Sequence, residues 1–400
     1  MLLQALTFQL GYNATLVTLG AIMLGISAGV VGTFLFLRKR ALVSDAIAHA
    51  TLPGVGLAFI VMSALGLDGR NLPGLLLGSA LSAFLGLLSV QWLVTRTRLS
   101  EDAAIGAVLS VFFAFGIVLL TVIQTLPLGG QAGLEGFLLG STAGMVLADA
   151  KLIATGGVLV ALLVLIFRRP MTVASFDPQF AEAQGLSLSR IDLIMMGLVL
   201  AVTVVGLKVV GLIMIVALLI IPAVTARFWS ERVEHVVLFA GLFGGVSAWV
   251  GAAVSATAPD LPTGPLIVLT AFAMFVLSMI FAPSRGLLST FLRHRQFQRG
   301  VHIRQGLLAL AQGQPIYEPL TLRLLRREGL ARADGVATED GKARAARALW
   351  DEKRWEIARA TPELELAAAR YDGLTQLADV LTPDQISEVD ARIATPEAVS

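Results

Sequence analysis

The residues with the clearest chemical potential are a carboxylate and an imidazole at the start of an apolar segment. Asp45 and His49 lie four residues apart in the stretch Ser44–Gly54. In a helix this spacing puts both side chains on one face, with Cβ atoms about 5–6 Å apart. Burying a carboxylate inside a membrane costs at least about 2.5–3.5 kcal/mol. This cost favours a position for Asp45 in the bundle interior or in a water-filled cavity. Carboxylate and imidazole together suit Mn²⁺, Fe²⁺ or Zn²⁺, and a symmetric dimer would bring two of each to one axis.

Pro53 and Gly54 follow one turn after His49. Proline removes a backbone donor and clashes with the preceding turn, so the pair predicts a helix break beside the ion site, as is common in transporters. The alternative interpretation is that Asp45 lies at the membrane interface and pairs with Arg40 or Lys39, while His49 is merely hydrogen-bonded. His49 is the only histidine inside a predicted span, which favours the functional interpretation.

A second informative pattern lies in the loop Phe176–Gly185, between two apolar segments. Asp177 followed by Pro178 is typical of a helix N-cap and first helical residue, and Gly185 predicts the helix end. Phe176 and Phe180 would then be exposed, which suits docking of a cytoplasmic partner. The alternative is a helix that lies on the lipid surface.

The chain carries no energy source of its own. The nearest match to G-x-x-x-x-G-K-[ST] is Gly335…Gly341-Lys342-Ala343, which has the wrong spacing and no hydroxyl. The sequence also lacks H-E-x-x-H, and its one match to G-x-S-x-G, at Gly25–Gly29, lies inside an apolar segment, so an intramembrane enzyme is disfavoured. ATP-driven transport would therefore need a separate ATPase subunit.

Composition predicts the framework that holds these residues. The 400-residue chain is 56 % hydrophobic and 14 % charged, with a mean hydropathy of +0.80, whereas soluble proteins carry about 25 % charged residues. Charged residues number 25 in the first 284 positions and 33 in the last 116. We therefore expect a membrane domain at 1–285 and a cytoplasmic tail at 286–400. The absence of cysteine excludes a disulfide scaffold and thiolate sites.

Nine segments have the length of about 20 apolar residues that a spanning helix needs. They lie at about 15–37, 42–66, 73–95, 103–126, 150–167, 191–207, 209–226, 236–257 and 263–283. Clusters of basic residues at alternate ends, beginning with Arg38–Arg40, place those ends and the C-terminus in the cytoplasm. Arg70, Lys151 and Lys208 fall on the outer side as exceptions. The count is eight or nine, because 191–226 or the first segment could fail to cross as drawn.

Glu101 and Asp102 open the fourth of these segments, directly after Ser100. Acidic residues in a first helical turn complement the helix dipole. Helix capping is therefore the role that we predict for both.

Four motifs in this order resemble a known family, the permease subunits of the manganese/zinc/iron ABC importers, over about residues 12–285. They are Arg38–Gly54, Ser100-Glu101-Asp102-Ala103-Ala104-Ile105-Gly106, Phe176-Asp177-Pro178…Ala181…Gly185, and Val210-Gly211…Ile221-Pro222-Ala223…Ala226-Arg227. The resemblance implies an all-α polytopic fold like that of type II ABC importer permeases, in the bacterial inner membrane. It also implies that Asp45 and His49 line the metal pathway, and that the loop with Phe176, Asp177, Pro178, Phe180, Ala181 and Gly185 receives the ATPase stroke. The implied partners are a pair of cytoplasmic ATP-binding subunits, an extracytoplasmic metal-binding protein and a second permease copy or paralogue.

The tail breaks the hydrophobic pattern. Its sequence predicts short helices at His302–Gln312 and Tyr317–Gly329, a strand–turn–strand at Ala331–Thr338, and helices at Asp340–Ala360 and 373–393. Leu324–Glu356 resembles the wing and following helix of iron- or manganese-dependent repressors, which implies a small α+β winged-helix-like domain. With 17 basic and 16 acidic residues from position 285 onwards, the tail has no strong excess of positive charge, so nucleic acid is a disfavoured partner. A regulatory or packing role is favoured.

The function that we predict is the permease of an ATP-driven importer of Mn²⁺, Zn²⁺ or Fe²⁺ that works by alternating access and catalyses no covalent chemistry. We expect no covalently bound cofactor: the metal is the cargo, and ATP acts through the partner subunit. Two alternatives stay open, a permease for metal chelates and a membrane-anchored metal-responsive transcriptional regulator.

Overall fold

The structure, a computed structural model, describes residues 2–9, 11–69, 71–125, 147–207, 209–258 and 261–394. Arg70, Lys208 and most of the segment between the fourth and fifth predicted spans lie outside these residues. The chain divides into two compact units, Met1–Ser289 and Thr290–Ser400. The helices of the first unit are α1 (Leu2–Leu6), α2 (Tyr12–Leu37), α3 (Ala41–Ala64), α4 (Leu72–Arg96), α5 (Glu101–Thr125), α6 (Leu147–Phe176), α7 (Pro178–Ala183), α8 (Leu188–Gly206), α9 (Leu212–Arg227), α10 (Val233–Ser255) and α11 (Thr263–Phe281).

Eight of these helices are long and apolar enough to cross a membrane, namely α2, α3, α4, α5, α6, α8, α10 and α11. The ninth predicted segment forms α9, which has 16 residues and is about 24 Å long. That length is less than the hydrocarbon thickness of about 30 Å. Its Leu218, Leu219 and Ala223 side chains are fully buried. The chain is thus an all-α membrane protein with eight candidate spans. The sequence left open whether there are eight or nine spans, and the segment in doubt forms the short helix α9.

Helix α2 forms the centre of the membrane unit and packs against α6, α8, α9 and α10. Three of its glycines make this packing possible. A Cβ at Gly25 would overlap the carbonyl of Gly244, one at Gly29 that of Ala240, and one at Gly32 that of Leu219. Membrane helices gain little from the hydrophobic effect against each other, so close backbone contact is a main source of their association.

The predicted helix break at Pro53 and Gly54 is wrong. Helix α3 is continuous from Ala41 to Ala64, with Pro53 inside it. Proline still removes one intrahelical hydrogen bond, the one that its N–H would donate to the carbonyl of His49. Gly54 serves packing instead, because a Cβ there would overlap the carbonyl of Gly78 on α4. Neighbouring helices hold a proline-containing span in shape.

The second unit is helical as well. Helix α12 (Leu287–Ala311) leads into it, and it continues with α13 (Pro319–Arg327), α14 (Glu339–Ala360), α15 (Glu365–Ala368), a 3₁₀ turn (Leu377–Asp379) and α16 (Pro383–Ala394). The helix predicted at His302–Gln312 is therefore the last part of a 25-residue helix. The one predicted at 373–393 is divided, because Gly373 has a left-handed backbone and Pro383 begins a new helix.

The described part of this unit contains no β-strand, so the expected α+β winged-helix-like domain is not observed. The predicted strand–turn–strand is reduced to a single bridge between Ala331 and Ala337. A tight turn at Gly335 closes it, with Arg332 N–H donating to the carbonyl of Val336. Only five residues separate the bridged pair, and Thr338 already caps α14 through Gly341 N–H, which leaves no length for a ladder.

A polar cluster around Glu352 organises the second unit. The Glu352 carboxylate accepts hydrogen bonds from Tyr371 Oη at 2.7 Å and Arg304 Nη2 at 3.0 Å. Burial raises the pKa of Glu352, but these hydrogen bonds and the positive charges of Arg304 and Arg359 together outweigh burial, and the net shift of the pKa is downward. Burial and the bond to Glu352 raise the pKa of Tyr371 to about 12. The Tyr371 ring stacks on Trp355 with centroids 4.6 Å apart, so one cluster joins α12, α14 and the loop after α15.

We expect Gly29→Ala to destabilise the membrane unit, because the added methyl group would overlap the Ala240 carbonyl. Overpacking of this kind costs about 1–3 kcal/mol, which should appear as a lower midpoint of thermal unfolding for the purified chain in detergent. Gly197→Ala is the matched control, since a Cβ at Gly197 meets nothing within 4 Å. Equal midpoints for the two variants would contradict the packing role assigned to Gly29.

Candidate functional site

The predicted pair of ligand side chains is in direct contact. His49 Nε2 lies 3.3 Å from Asp45 Oδ1, and the two side chains are 19 % and 40 % exposed. Helix α3 places them one turn apart on one face, as the spacing predicted. Asp45 is the fifth and His49 the ninth residue of α3, so His49 lies about 12 Å from the end that follows the arginine cluster. The pair therefore occupies the half of the span nearer the predicted cytoplasmic side.

The surroundings of His49 are apolar. Its ring meets Phe113 of α5 edge-on, with centroids 4.9 Å apart. Its Nδ1 atom is buried and has no hydrogen-bond partner among the described residues. Within the described part of the chain no group of three or more His, Cys, Asp or Glu side chains could hold a metal ion. One chain thus offers two protein ligands at this position.

The alternative interpretation of Asp45 required a pairing with Arg40 or Lys39, and neither is observed. Arg40 instead donates to Asp192 Oδ2 at 2.8 Å, and its Nε lies 2.9 Å from Glu101 Oε1. Lys39 is exposed and has a left-handed backbone with φ of 59°. Glu101, for which we predicted a capping role, is therefore also an ion-pair partner between α5 and the α2–α3 turn.

Asp192 is the residue that sequence reasoning missed. It lies in the first turns of α8 and accepts from Arg38 Nη2 at 2.5 Å as well as from Arg40. Arg38 also donates through Nη1 to the carbonyl of Ala174 near the end of α6, at 2.9 Å. The one sequence signal for this network was a lone acid at the start of an apolar helix, on the same predicted side as the Arg38–Arg40 cluster. Arg38 and Asp192 are only 12 % and 17 % exposed, so their charges interact with little water between them.

The loop after α6 forms the short helix α7 that the capping residues predicted. Asp177 Oδ1 accepts from Phe180 N–H at 2.9 Å, and Pro178 occupies the first helical position. At the other end Gly185 has φ of 79°, and Leu186 N–H donates back to the carbonyl of Ala181, which is the Schellman arrangement. Ala181 is buried, whereas the side chains of Phe176 and Phe180 are 59 % and 51 % exposed. The helix is anchored through Ala181 and exposes the ring of Phe180, while the exposed ring of Phe176 lies at the end of α6 just before it.

Comparison with known proteins agrees with these features. Residues 12–282 match the ABC 3 transport family. This chain belongs to that family. The permease is 40 % identical to the manganese transport system membrane protein MntC of Bacillus subtilis over 308 residues, which cover 77 % of this chain and 70 % of that protein. It is 39 % identical to the zinc transport system membrane protein TroC of Treponema pallidum over 285 residues, or 71 % of this chain and 94 % of that protein.

A solved structure supports the same fold. PsaBC from Streptococcus pneumoniae, in complex with Fab, matches 74 % of this chain and 100 % of its own chain, with a TM-score of 0.63 and 30 % identity. The chain is accordingly a multi-pass ABC permease and not the ATPase. The family match ends at residue 282, and neither it nor these relatives supports the repressor-like tail expected from the sequence.

We expect a strong energetic coupling between Arg38 and Asp192. A double-mutant cycle with Arg38→Gln and Asp192→Asn should give an interaction free energy within the range of about 0.5–3 kcal/mol found for residues in contact. Thermal or denaturant unfolding of the purified permease would measure it. Arg98→Gln is the control partner for Asp192→Asn, because Arg98 is an exposed arginine after α4. Additive effects of Arg38→Gln and Asp192→Asn would show that the ion pair contributes no stability.

Proposed function

We propose that this permease carries Mn²⁺ or Zn²⁺ as the membrane subunit of an ATP-driven importer, with Asp45 and His49 as ligands along the ion's path. The names of the Bacillus subtilis and Treponema pallidum relatives, a manganese and a zinc transport protein, support this range of cargo. The observation that carries the pathway is the contact of a carboxylate with an imidazole, 3.3 Å apart, on an otherwise apolar spanning helix. Ionisable residues within a span cost free energy, and they usually mark ion or substrate pathways.

The geometry of the pair suits a shared ion. Zn²⁺ binds nitrogen and oxygen ligands at about 2.1 Å, and an ion at that distance from both His49 Nε2 and Asp45 Oδ1 would subtend an angle of about 104° between them, given their separation of 3.3 Å. Two ligands leave the first shell incomplete. A second copy of the chain would supply another Asp45 and His49, which gives the four protein ligands of a tetrahedral site.

In the transport cycle that we propose, an extracytoplasmic binding protein delivers the ion and a pair of ATP-binding subunits drives alternating access. Membership in an ABC permease family implies both partners. Helix α7 is the element on which the ATPase would act, because Phe180 is exposed on it and Phe176 is exposed at the end of α6 directly before it. Arg38 would then transmit a movement of α7 to Asp45 and His49. It donates to the carbonyl of Ala174, three residues before the α7 cap, and it lies in the turn that leads into α3.

We expect both Asp45→Asn and His49→Gln to reduce uptake of the transported ion at least tenfold, since changes around metal ligands cost about 10–100-fold in affinity or activity. Uptake of Mn²⁺, Zn²⁺ and Fe²⁺ would be measured in cells without importers of their own that express this chain with its ATPase and binding protein. Asp102→Asn is the control, because Asp102 is an exposed acid in the first turn of α5. Both pathway variants must still co-purify with the ATPase.

Undiminished uptake in both pathway variants would leave the importer in place and remove the two residues from the pathway. Uptake of metal chelates but not of free ions by the wild type would instead favour a chelate permease, whose wide pathway does not need converging ligands.

We expect Phe180→Ala to weaken assembly with the ATPase subunits, because it removes the central aromatic ring of α7 without touching the buried Ala181 anchor. Co-purification of the ATPase with the affinity-tagged permease should fall several-fold. Phe115→Ala, which removes a similarly exposed ring from the span α5, should not change it. If α7 lies on lipid instead, both variants will retain the ATPase equally.

A further inference from the structure

A long groove runs along the side of the membrane unit, on helices other than those that carry the ligand pair. Its volume is about 1090 Å³, and its floor is a stripe of α2, formed by Ile22, Ile26, Val30 and Phe34. Helices α6 and α10 form its walls. The stripe repeats every four residues, so the groove follows α2 for about 18 Å, slightly more than one leaflet of about 15 Å.

The groove is apolar along its length and charged at one end. Leu165 on one wall and Leu238 and Leu242 on the other are more than half exposed, as expected of side chains in contact with acyl chains. At the predicted cytoplasmic end the lining changes to Arg168, Arg169, Glu234 and His235. Trp249 lies at the other end, where it stacks on Phe8.

The charges at this end are unbalanced. Arg168 Nη1 lies 3.5 Å from Glu234 Oε1, so this arginine has a counter-charge. Arg169 is exposed and forms no ion pair with any carboxylate of the described chain. An apolar channel that ends in an unpaired guanidinium at the level of the headgroups fits a molecule with an acyl chain and a phosphate. Basic pockets between helices on the cytoplasmic side are a known way to hold anionic lipid headgroups.

We propose that this groove binds an anionic phospholipid of the cytoplasmic leaflet, with an acyl chain along α2 and the phosphate on Arg169. A second copy of the chain is a poorer occupant. Helix α3 packs against α4, α5, α8 and α9, so copies that meet around Asp45 and His49 would use helices different from the groove walls.

Native mass spectrometry of the purified full-length chain in a neutral detergent tests the proposal, with phosphatidylglycerol and zwitterionic phosphatidylethanolamine of the same acyl chains as probes. We expect retention of phosphatidylglycerol in preference to phosphatidylethanolamine. Arg169→Gln should lower the apparent affinity for phosphatidylglycerol about fivefold, the factor for one charge near a membrane surface. Arg98→Gln, which removes an exposed cytoplasmic arginine outside the groove, should have no effect.

A second variant tests the acyl channel separately. Ala161→Trp on the α6 wall should block the groove and abolish retention while Arg169 stays in place. Equal retention of the two lipids, equal losses in Arg169→Gln and Arg98→Gln, or no lipid on the wild type would each overturn the proposal. Because the chain has no cysteine, Leu238→Cys adds a single thiol to the groove. A disulfide between two copies in native membranes would show that protein, not lipid, covers it.

Discussion

The ion-pair network around Asp192 is the interaction on which the arrangement of the functional elements depends. One carboxylate accepts from Arg38 and Arg40, Arg40 also pairs with Glu101, and Arg38 reaches the backbone of α6. Four chain segments that are distant in sequence therefore meet at one point. Burying a charge away from water costs free energy unless a partner of opposite charge or a hydrogen bond compensates for it. Few arrangements of the helices at this end of the bundle would therefore leave both Arg38 and Asp192 with a partner. The left-handed backbone of Lys39 lets the two arginines on either side of it reach the same carboxylate.

Much of the membrane unit could be predicted because the bilayer restricts what a sequence can do. A span must be a helix of about 20 apolar residues, so segment lengths predicted all eight long helices, together with a ninth segment that forms the shorter α9. Local rules also predicted α7. Asp177 accepts a hydrogen bond from the N–H of Phe180, Pro178 occupies the first helical position, and Gly185 adopts the left-handed backbone that ends the helix. The contact of Asp45 with His49 followed from the four-residue spacing. In each case the determining physics acts within a few residues.

The errors arose where the determining contact is distant in sequence. Pro53 would break an isolated helix, but α4 packs against α3 at Gly54, and α3 remains one continuous helix through the proline. Asp192 and Glu101 look like ordinary acids near the start of a helix until the fold brings Arg38 and Arg40 to them. In the tail, the segment from Ala331 to Ala337 has the residues of a hairpin, but its turn leaves room for one bridge only, while side-chain contacts centred on Glu352 hold the unit together. None of these pairings leaves a periodic signal in the sequence.

The unpartnered Nδ1 of His49 has a consequence for how long an ion can stay. A histidine that holds a resident metal usually donates its other ring N–H to an acceptor, which raises its basicity and fixes its tautomer. Here Nε2 faces Asp45, and no described residue accepts from the buried Nδ1. An ion bound to Nε2 would therefore leave an N–H unsatisfied in an apolar setting, at a cost of about 1–3 kcal/mol. On the proposed pathway that cost makes the site a shallow free-energy minimum, in which the ion has a short residence time. This suits a binding site that must release its ion in every transport cycle.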